Sequence, residues 1–461
     1  MPNRWGSARK RRRWPLVLLL GLLPALLAAV PVDTPPLVDA AKAQDWALVR
    51  TLLEKGEDVS ATATDGATAL HWASYWDEVE TVRLLIRAGA DVNAVNDLGA
   101  TALWIASLNG SGAMVNSLLD AGADPNAALP SGETPVMTAA RTGNPGVMER
   151  LLQAGGDVDA RGTRGQTPLM WAVSQKHSEV AQVLLEHGAD VHARSDSWGQ
   201  MMAVPPYSDP ANQKIVPHGG NTPLLFASRV GDLASVSLLV AAGANVDDTD
   251  AWGVSATALA VHSGFSDIAV YLLERGADPN LSEPGFSALH LAIMRRDQAL
   301  VRVLLDHGAD ANATLESWTP TRRASDDWYI HQSLVGASPF WLAARFTQPG
   351  VMRLLVEHGA DPLFVHHADY VGAAGAFGAA PRQESTTAIM AAVGMGGPRR
   401  MRAFVSPDPT ELEALTMEAV RICAELGVDV SATDLEGRTY SALDAPGFPS
   451  VADFLAQLSE S

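Results

Sequence analysis

Cysteine is almost missing from this 461-residue chain, since Cys423 is the only one. A single thiol excludes an internal disulfide, a paired-cysteine zinc site and the C-x-x-C-H motif that attaches c-type haem. The folded state must therefore be held by the packing of apolar side chains, which 47% hydrophobic residues can supply.

Basic residues are also scarce, because 33 lysines and arginines stand against 52 acidic residues and leave a formal charge of −19. An acidic surface repels phosphate backbones and anionic membrane surfaces. The composition therefore argues against nucleic acid and against the membrane surface as partners.

Signatures of catalysis and of cofactor binding are absent from the sequence. There is no G-x-S-x-G nucleophile motif, no Walker phosphate loop and no H-E-x-x-H metal motif. The adjacent pair His366 and His367 lacks a second ligand cluster, so we interpret it as part of a loop. We expect neither an enzyme nor a bound cofactor or metal.

The N-terminus has the layout of an export signal. A basic cluster at Arg9–Arg13 precedes the apolar run Leu16–Val30, which Pro24 interrupts. The run is shorter than the roughly 20 residues that a membrane span needs, so a permanent anchor is the weaker alternative. We interpret residues 1–30 as a signal peptide and predict a periplasmic or secreted protein.

The body of the chain repeats a Gly-Ala-Asp marker and its variants at a nearly fixed period. Most successive markers are separated by 32 or 33 residues, but three gaps measure 55, 51 and 68. A constant period predicts stacked units, and the longer gaps predict insertions near 197–219, 317–336 and 370–413. The marker glycines are Gly56, Gly89, Gly122, Gly155, Gly188, Gly243, Gly276, Gly308, Gly359 and Gly427.

Each unit predicts two short helices. In residues 65–96, Thr68 is placed to cap the first helix, and Val82, Leu85 and Ile86 form the buried stripe of the second. Gly89 supplies the left-handed residue that ends it. Two helices of this length cannot bury their apolar faces alone, so stacking is required. Equivalent capping threonines are Thr101, Thr134, Thr167 and Thr222.

The stretch TPLMWAVSQKHSEVAQVLLEHGADVHA, Thr167 to Ala193, resembles the ankyrin-repeat family, whose pattern it follows almost position for position. The resemblance implies an all-α solenoid of helix-turn-helix units. We place an N-terminal capping half-repeat at 31–64, the array at 65–434 and a C-terminal capping repeat at 435–461.

The chain departs from the family pattern at the motif histidine. His71 and His290 keep it, whereas other residue types replace it elsewhere, so the threonine–histidine hydrogen bonding of the family is expected in only some units. The replacements are Trp104, Met137, Met170 and Leu225.

The resemblance also implies where a partner docks, namely on the hairpin tips and on the exposed end of each first helix. Carried onto this chain, the candidate positions are Tyr75, Trp76, Leu108, Arg141, Arg229, Arg295, Arg345 and Phe346. The insertions add the aromatic candidates Trp198, Tyr207, Trp318, Trp328 and Tyr329. Tyrosine, tryptophan and arginine are the residue types that dominate binding hot spots.

These features predict an exported, monomeric scaffold for a protein partner. Because exported bacterial ankyrin arrays are sometimes joined to haem domains, the resemblance makes an exported oxidoreductase one candidate partner. The main alternative is a small-ligand-binding or enzymatic protein with a site built from the insertions. A purely structural spacer is a third hypothesis. The polar set available for the alternative is Arg322, Arg323, Asp326, Asp327 and His331.

Overall fold

The computed structural model describes residues 34–203, 213–319, 330–371, 381–396, 408, 410–437 and 448–460. The helices are α1 (Pro36–Lys42), α2 (Trp46–Glu54), α3 (Ala69–Tyr75), α4 (Val79–Arg87), α5 (Ala102–Asn109), α6 (Gly112–Asp120), α7 (Pro135–Thr142), α8 (Pro145–Gln153), α9 (Pro168–Ser174), α10 (Ser178–Glu186), α11 (Pro223–Val230), α12 (Leu233–Ala241), α13 (Ala256–Ser263), α14 (Ser266–Glu274), α15 (Ala288–Met294), α16 (Gln298–Asp306), α17 (Pro339–Arg345), α18 (Pro349–Glu357), α19 (Ala388–Ala392), α20 (Leu412–Glu425) and α21 (Pro449–Glu460). The strands are β1 (Ser197–Ala203), β2 (Gln213–Gly219), β3 (His366–Val371) and β4 (Pro381–Thr386).

The helices stack in two rows. The first helices of successive pairs contact one another, as α3, α5 and α7 do, and form the row that we call the inner row. The second helices, such as α4, α6 and α8, contact one another in the same way and form the outer row. Apolar residues of successive pairs join one continuous core from Leu37 to Leu455. The segment predicted as an N-terminal half-repeat carries both helices of a pair, α1 and α2, and is therefore more than half a unit.

Most predicted caps are present. Thr68, Thr101, Thr134 and Thr167 each accept a hydrogen bond from the backbone N–H three residues further on. Thr222 also precedes a helix, α11, but its hydroxyl makes no capping bond. That hydroxyl is buried with no hydrogen-bond partner among the described residues, so the capping prediction is wrong at Thr222.

The second helix of the unit at 65–96 ends as the sequence predicts. Val82 and Leu85 are fully buried, and Ile86 packs against the core from a partly buried position. Gly89 follows α4 with a φ of +92°, a conformation that a side chain would strain.

Asparagine side chains link successive hairpins. Asn93 donates to the carbonyl of Gly122 at 3.1 Å and accepts from the N–H of Asp124 at 2.8 Å. Asn312 makes the same pair of bonds with Gly359 and Asp361, although the chain between them is longer. The register of the array therefore continues across the second long gap of the sequence.

The two motif histidines are hydrogen-bonded on both sides, as expected. The Nδ1 atom of His290 accepts from the N–H of Ser287 at 3.1 Å, and its Nε2 lies 2.9 Å from the carbonyl oxygen of Ala313. His71 makes the corresponding bonds with Thr68 and Ala100. Each histidine thus ties its own helix to the following hairpin.

Two antiparallel β-hairpins interrupt the helical array, so the all-α prediction is wrong in this respect. Strand β1 pairs with β2, and β3 pairs with β4. Both hairpins lie where the marker spacing predicts extra residues. Strands form there because chain added to a hairpin tip must pair its own backbone groups.

Several predictions lie outside the described residues. They are the signal peptide at 1–30, the aromatic candidates Tyr207, Trp328 and Tyr329, and four members of the alternative polar set, Arg322, Arg323, Asp326 and Asp327. Among the described helices, none combines the length and apolar character that crossing a membrane requires.

Candidate binding surface

The first group of candidates lies at the N-terminal end of the inner row. Tyr75, Trp76 and Leu108 are exposed, and the rings of Tyr75 and Trp76 meet edge to face with centroids 4.9 Å apart. Asn109 holds this end of α3 by donating to the carbonyls of Ser74 and Tyr75. Tyr75 and Trp76 therefore form one exposed aromatic pair at the end of α3.

Arg141 is held in place by its neighbours. Its guanidinium lies 2.8 Å from a carboxylate oxygen of Glu133 and 5.6 Å from the ring centroid of Trp171. The side chain remains about one-third exposed, so it contributes a fixed charge to the inner surface.

The β1–β2 hairpin has two unlike faces, because side chains alternate along a strand. The cross-strand pairs Trp198–His218 and Gln200–Val216 lie on one face. The pair Met201–Ile215 lies on the opposite face, where its members are 59% and 62% exposed. The hairpin therefore offers solvent an apolar outer pair.

The inner face of the hairpin faces the array and bounds an open cavity of about 590 Å³. The opposite wall comes from the inner row, where Arg229 of α11 and His262 of α13 line the cavity, and Asp250 and Trp252 of the intervening hairpin complete it. Two sequence candidates from different repeats, Trp198 and Arg229, thus line one site.

Trp198 anchors one side of this cavity. Its ring stacks on the imidazole of His218, with centroids 5.6 Å apart and planes 25° from parallel. The guanidinium of Arg164 lies 4.5 Å from the centroid of the same ring, within the range of a cation–π contact. The indole remains 39% exposed and is available for further contact.

Lys214 joins the hairpin to the start of the second long sequence gap. Its ammonium donates to the hydroxyl of Ser317 and to the carbonyl of Trp318, and it lies 5.9 Å from the ring centroids of Trp252 and Trp318. Burial lowers the pKa of Lys214. Trp318 is consequently half-buried beside the hairpin.

Arg229 faces the carboxyl group of Asp250 at the limit of an ion pair. Its guanidinium lies 3.4 Å from the amide oxygen of Asn221 and 4.0 Å from a carboxylate oxygen of Asp250. The other oxygen of Asp250 accepts from the N–H groups of Trp252 and Val254. Burial raises the pKa of Asp250 despite these bonds.

The candidates at the C-terminal end of the inner row are less accessible. Phe346 is 8% exposed, so the expectation of a surface position is wrong for this residue. Arg296 of the preceding unit donates to the carbonyls of Phe346 and Thr347, which packs the end of α17 against that unit. Arg295 is half-buried and donates to the carbonyl of His262 at 2.8 Å.

Arg345 belongs to a buried polar network under the β3–β4 hairpin. Burial lowers its pKa to about 10, which the carboxylate of Glu384 partly offsets. Glu384 accepts from the hydroxyl of Tyr370 at 2.7 Å, and the ring of His331 meets that of Tyr370 edge to face. Burial raises the pKa of Tyr370. This network fixes the second hairpin to the array.

The described residues contain no group of three or more histidine, cysteine, aspartate or glutamate side chains arranged to hold a metal ion. His187, His307 and His358 each bond through Nδ1 to the carbonyl four residues earlier, so this ring nitrogen is engaged with the residue's own helix. Burial raises the pKa of the Cys423 thiol to about 12. That thiol is therefore not an activated nucleophile.

Sequence reasoning missed four residues of the cavity region: Arg164, Lys214, His218 and Trp252. The strand alternation in residues 213–219 could have indicated His218. Arg164, Lys214 and Trp252 are brought to this region only by contacts between different parts of the array. Their partners lie in other units or in the hairpin, beyond any local pattern.

The family model described as ankyrin repeats (3 copies) matches residues 37–129, 125–195, 208–283 and 224–314. Together these ranges cover more than half of the chain, which therefore belongs to the ankyrin-repeat family. Ankyrin repeats are a protein–protein interaction module, and the stacked helix pairs described above are their structure.

Relatives share parts of this array. An ankyrin repeat-containing protein of Treponema pallidum (strain Nichols) is 42% identical over 92 residues, 19% of this chain and 31% of that protein. The E3 ubiquitin-protein ligase KEG of Arabidopsis thaliana is 30% identical over 126 residues, 26% of this chain and 8% of the ligase. The chain thus spans less than a third of either relative.

A solved structure, the human ASB11 ankyrin repeat domain, aligns with 53% of this chain and 99% of that domain. The two share 30% sequence identity and superpose with a TM-score of 0.43.

Proposed function

We propose that this protein is an exported, monomeric, non-catalytic scaffold that binds another protein through its inner helix row and the β1–β2 hairpin. One observation carries the proposal: the hairpin and the neighbouring repeats bound one open cavity that is lined by Trp198 and Arg229. Tryptophan and arginine side chains are the most frequent binding hot spots.

The outer face of the hairpin extends this surface. Met201 and Ile215 face each other across the strands and stay exposed, whereas most apolar side chains of the array are buried. A partner that covers this pair gains the burial of both side chains, at about 25 cal/mol per Å² of apolar area. The hairpin therefore supports contact on both of its faces.

Site-specific cross-linking tests the binding surface. A photoreactive amino acid at Met201 should yield a discrete cross-linked protein adduct in the native host, because this side chain points away from the array. The matched control is Gln153, which is exposed on the outer helix α8 and should yield no such adduct. Equal adducts at both positions would rule out the hairpin as the binding surface.

Export rests on the basic cluster and apolar run within residues 1–30. Residues 1–40 fused to a reporter that is active only outside the cytoplasm should switch the reporter on. Substituting both Leu18 and Leu19 by aspartate should switch it off, because charges in the apolar run block insertion. A reporter that is silent in both fusions would contradict export.

If the protein is exported, its partner must also lie outside the cytoplasm. An exported oxidoreductase is favoured only by the association of similar arrays with haem domains, and the adduct at Met201 would identify it by mass spectrometry. The rival hypothesis of a site built from the second insertion retains His331 alone among the described residues, and this side chain bonds to Ser333.

A further inference from the structure

We propose that the cavity beneath the β1–β2 hairpin binds a carboxylate of an acidic peptide segment of the partner protein. This inference rests on the proposed function and names the chemistry that the site recognises. It follows from the charges, the backbone and the unpaired polar atoms of the cavity wall.

The cavity wall carries an excess of cationic groups. The guanidinium groups of Arg164 and Arg229 line it, and Asp250 is the one carboxylate on the described wall. Among the described residues, Arg164 has no carboxylate within 4.0 Å, since its guanidinium lies against the Trp198 ring instead. In a chain with a formal charge of −19, this is a local reversal of sign.

Asp250 does not neutralise this excess. One of its oxygens is taken by two backbone N–H groups of its own turn, and the other is 4.0 Å from Arg229, at the limit of an ion pair. Arg229 has five N–H donors, and its side chain is 47% exposed. Donors therefore remain for a ligand.

The backbone at Arg164 is left-handed, and the residue lines the cavity. Arg164 has a φ of +61°, and the next residue, Gly165, also has a positive φ of +64°. In the equivalent turns only the glycine is left-handed, as at Gly99, Gly132 and Gly253. A strained non-glycine residue persists where the surrounding structure enforces it, and such sites cluster at binding positions. The carbonyl of Arg164 accepts from the N–H of Asp196, just before β1, so this turn is tied to the base of the hairpin.

His218 adds a polar atom without a partner. Its Nε2 is buried and makes no hydrogen bond to the described residues. A buried polar atom without a partner is costly, and a ligand oxygen would satisfy it. The site therefore combines two guanidinium groups, one imidazole nitrogen and the indoles of Trp198 and Trp252.

This combination favours a carboxylate over a phosphate. Guanidinium groups bind either anion, and a higher ligand charge strengthens the attraction to Arg164 and Arg229 as well as the repulsion from Asp250, so the preference rests on the uncharged part of the ligand. The indole rings suit the methylene groups of aspartate or glutamate side chains. A peptide source is favoured over a free acid because the exposed pair Met201–Ile215 continues the surface beyond the cavity.

Selection from a random peptide library displayed on phage tests the proposal. The full-length protein without residues 1–30 is the target, and the double variant Arg164→Gln, Arg229→Gln is used for counter-selection. Enriched peptides should contain aspartate or glutamate. An enriched peptide, measured by fluorescence anisotropy, should bind the double variant at least tenfold more weakly. The same peptide with its acidic residues replaced by glutamine or asparagine should lose affinity to the same extent.

The control double variant Arg87→Gln, Arg302→Gln removes the same charge from exposed positions on α4 and α16 and should bind as the wild type does. Succinate should compete only at concentrations far above the peptide's Kd, and a phosphoserine version should bind no more tightly than the acidic peptide. The inference would be overturned if no peptide is enriched, if the enriched peptides lack acidic residues, or if both double variants bind the peptide equally well. It would also be overturned if succinate or the phosphopeptide binds more tightly than the acidic peptide. If cross-linking at Met201 nevertheless succeeds, the scaffold function stands while the carboxylate assignment fails.

Discussion

Replacing residues 197–219 by a turn of consensus length is expected to leave the unfolding midpoint nearly unchanged and to weaken partner binding by more than about thirtyfold. The base of the hairpin stays closed without its strands, because Ser195 and Asn221 bond to each other through backbone and side-chain atoms. The entropic cost of closing a loop also changes slowly with length. Binding fails because one central aromatic anchor such as Trp198 can contribute about 2 kcal/mol, and the outer apolar pair is lost with it.

Two further variants make this result decisive. Trp198→Ala within the intact hairpin should weaken binding with little change in stability, because the indole is 39% exposed. Replacing the β3–β4 hairpin should instead destabilise the protein, because His366 and Tyr370 are buried against the array. Wild-type affinity after removal of residues 197–219 would show that recognition lies elsewhere, and loss of the fold would show that the first hairpin is structural.

The repeat units could be predicted from the sequence because their causes are local. Three features depend only on residues within a few positions of one another, and all three are present: the cap at Thr167, the buried stripe of α4 and the left-handed Gly89. The bond from the N–H of Ser287 to His290 follows the same rule, since the two residues lie three positions apart. Thr222 fails because β2 ends three residues before it and the chain enters α11 from a hairpin.

The candidate site depends on contacts that a repeat pattern does not encode. Arg164 and Trp198 meet because the left-handed turn before α9 faces the β1–β2 hairpin, which follows α10. Lys214 reaches Ser317 across more than a hundred residues of chain. Arg296 likewise reaches the carbonyl of Phe346 from another unit. The sequence therefore names candidate residues without showing which of them meet.

A second large effect is expected from pH, through the buried histidine His290. Burial lowers its pKa to about 4 from the ordinary value of 6.5, because the ring is enclosed and Nδ1 accepts from the N–H of Ser287. Below pH 6.5 the unfolded chain binds a proton that the folded chain does not bind until about pH 4. The free energy of unfolding should therefore fall as pH falls through this window, by about 3 kcal/mol in total.

The substitution His290→Leu isolates this contribution, since Leu225 occupies the same position of its own unit in the wild-type chain. At pH 7.5 the variant should be less stable by about 1–3 kcal/mol, because Ser287 and Ala313 lose their hydrogen-bond partner. The difference in free energy of unfolding between wild type and variant, measured by denaturant unfolding, should be smaller by about 1.3 kcal/mol at pH 5.5. Only the wild type loses the stabilisation of a neutral imidazole as the pH falls. His192→Leu, at an exposed hairpin position, is the control and should keep the wild-type pH dependence. A constant gap between wild type and His290→Leu across this range would mean that His290 is not held neutral by the fold.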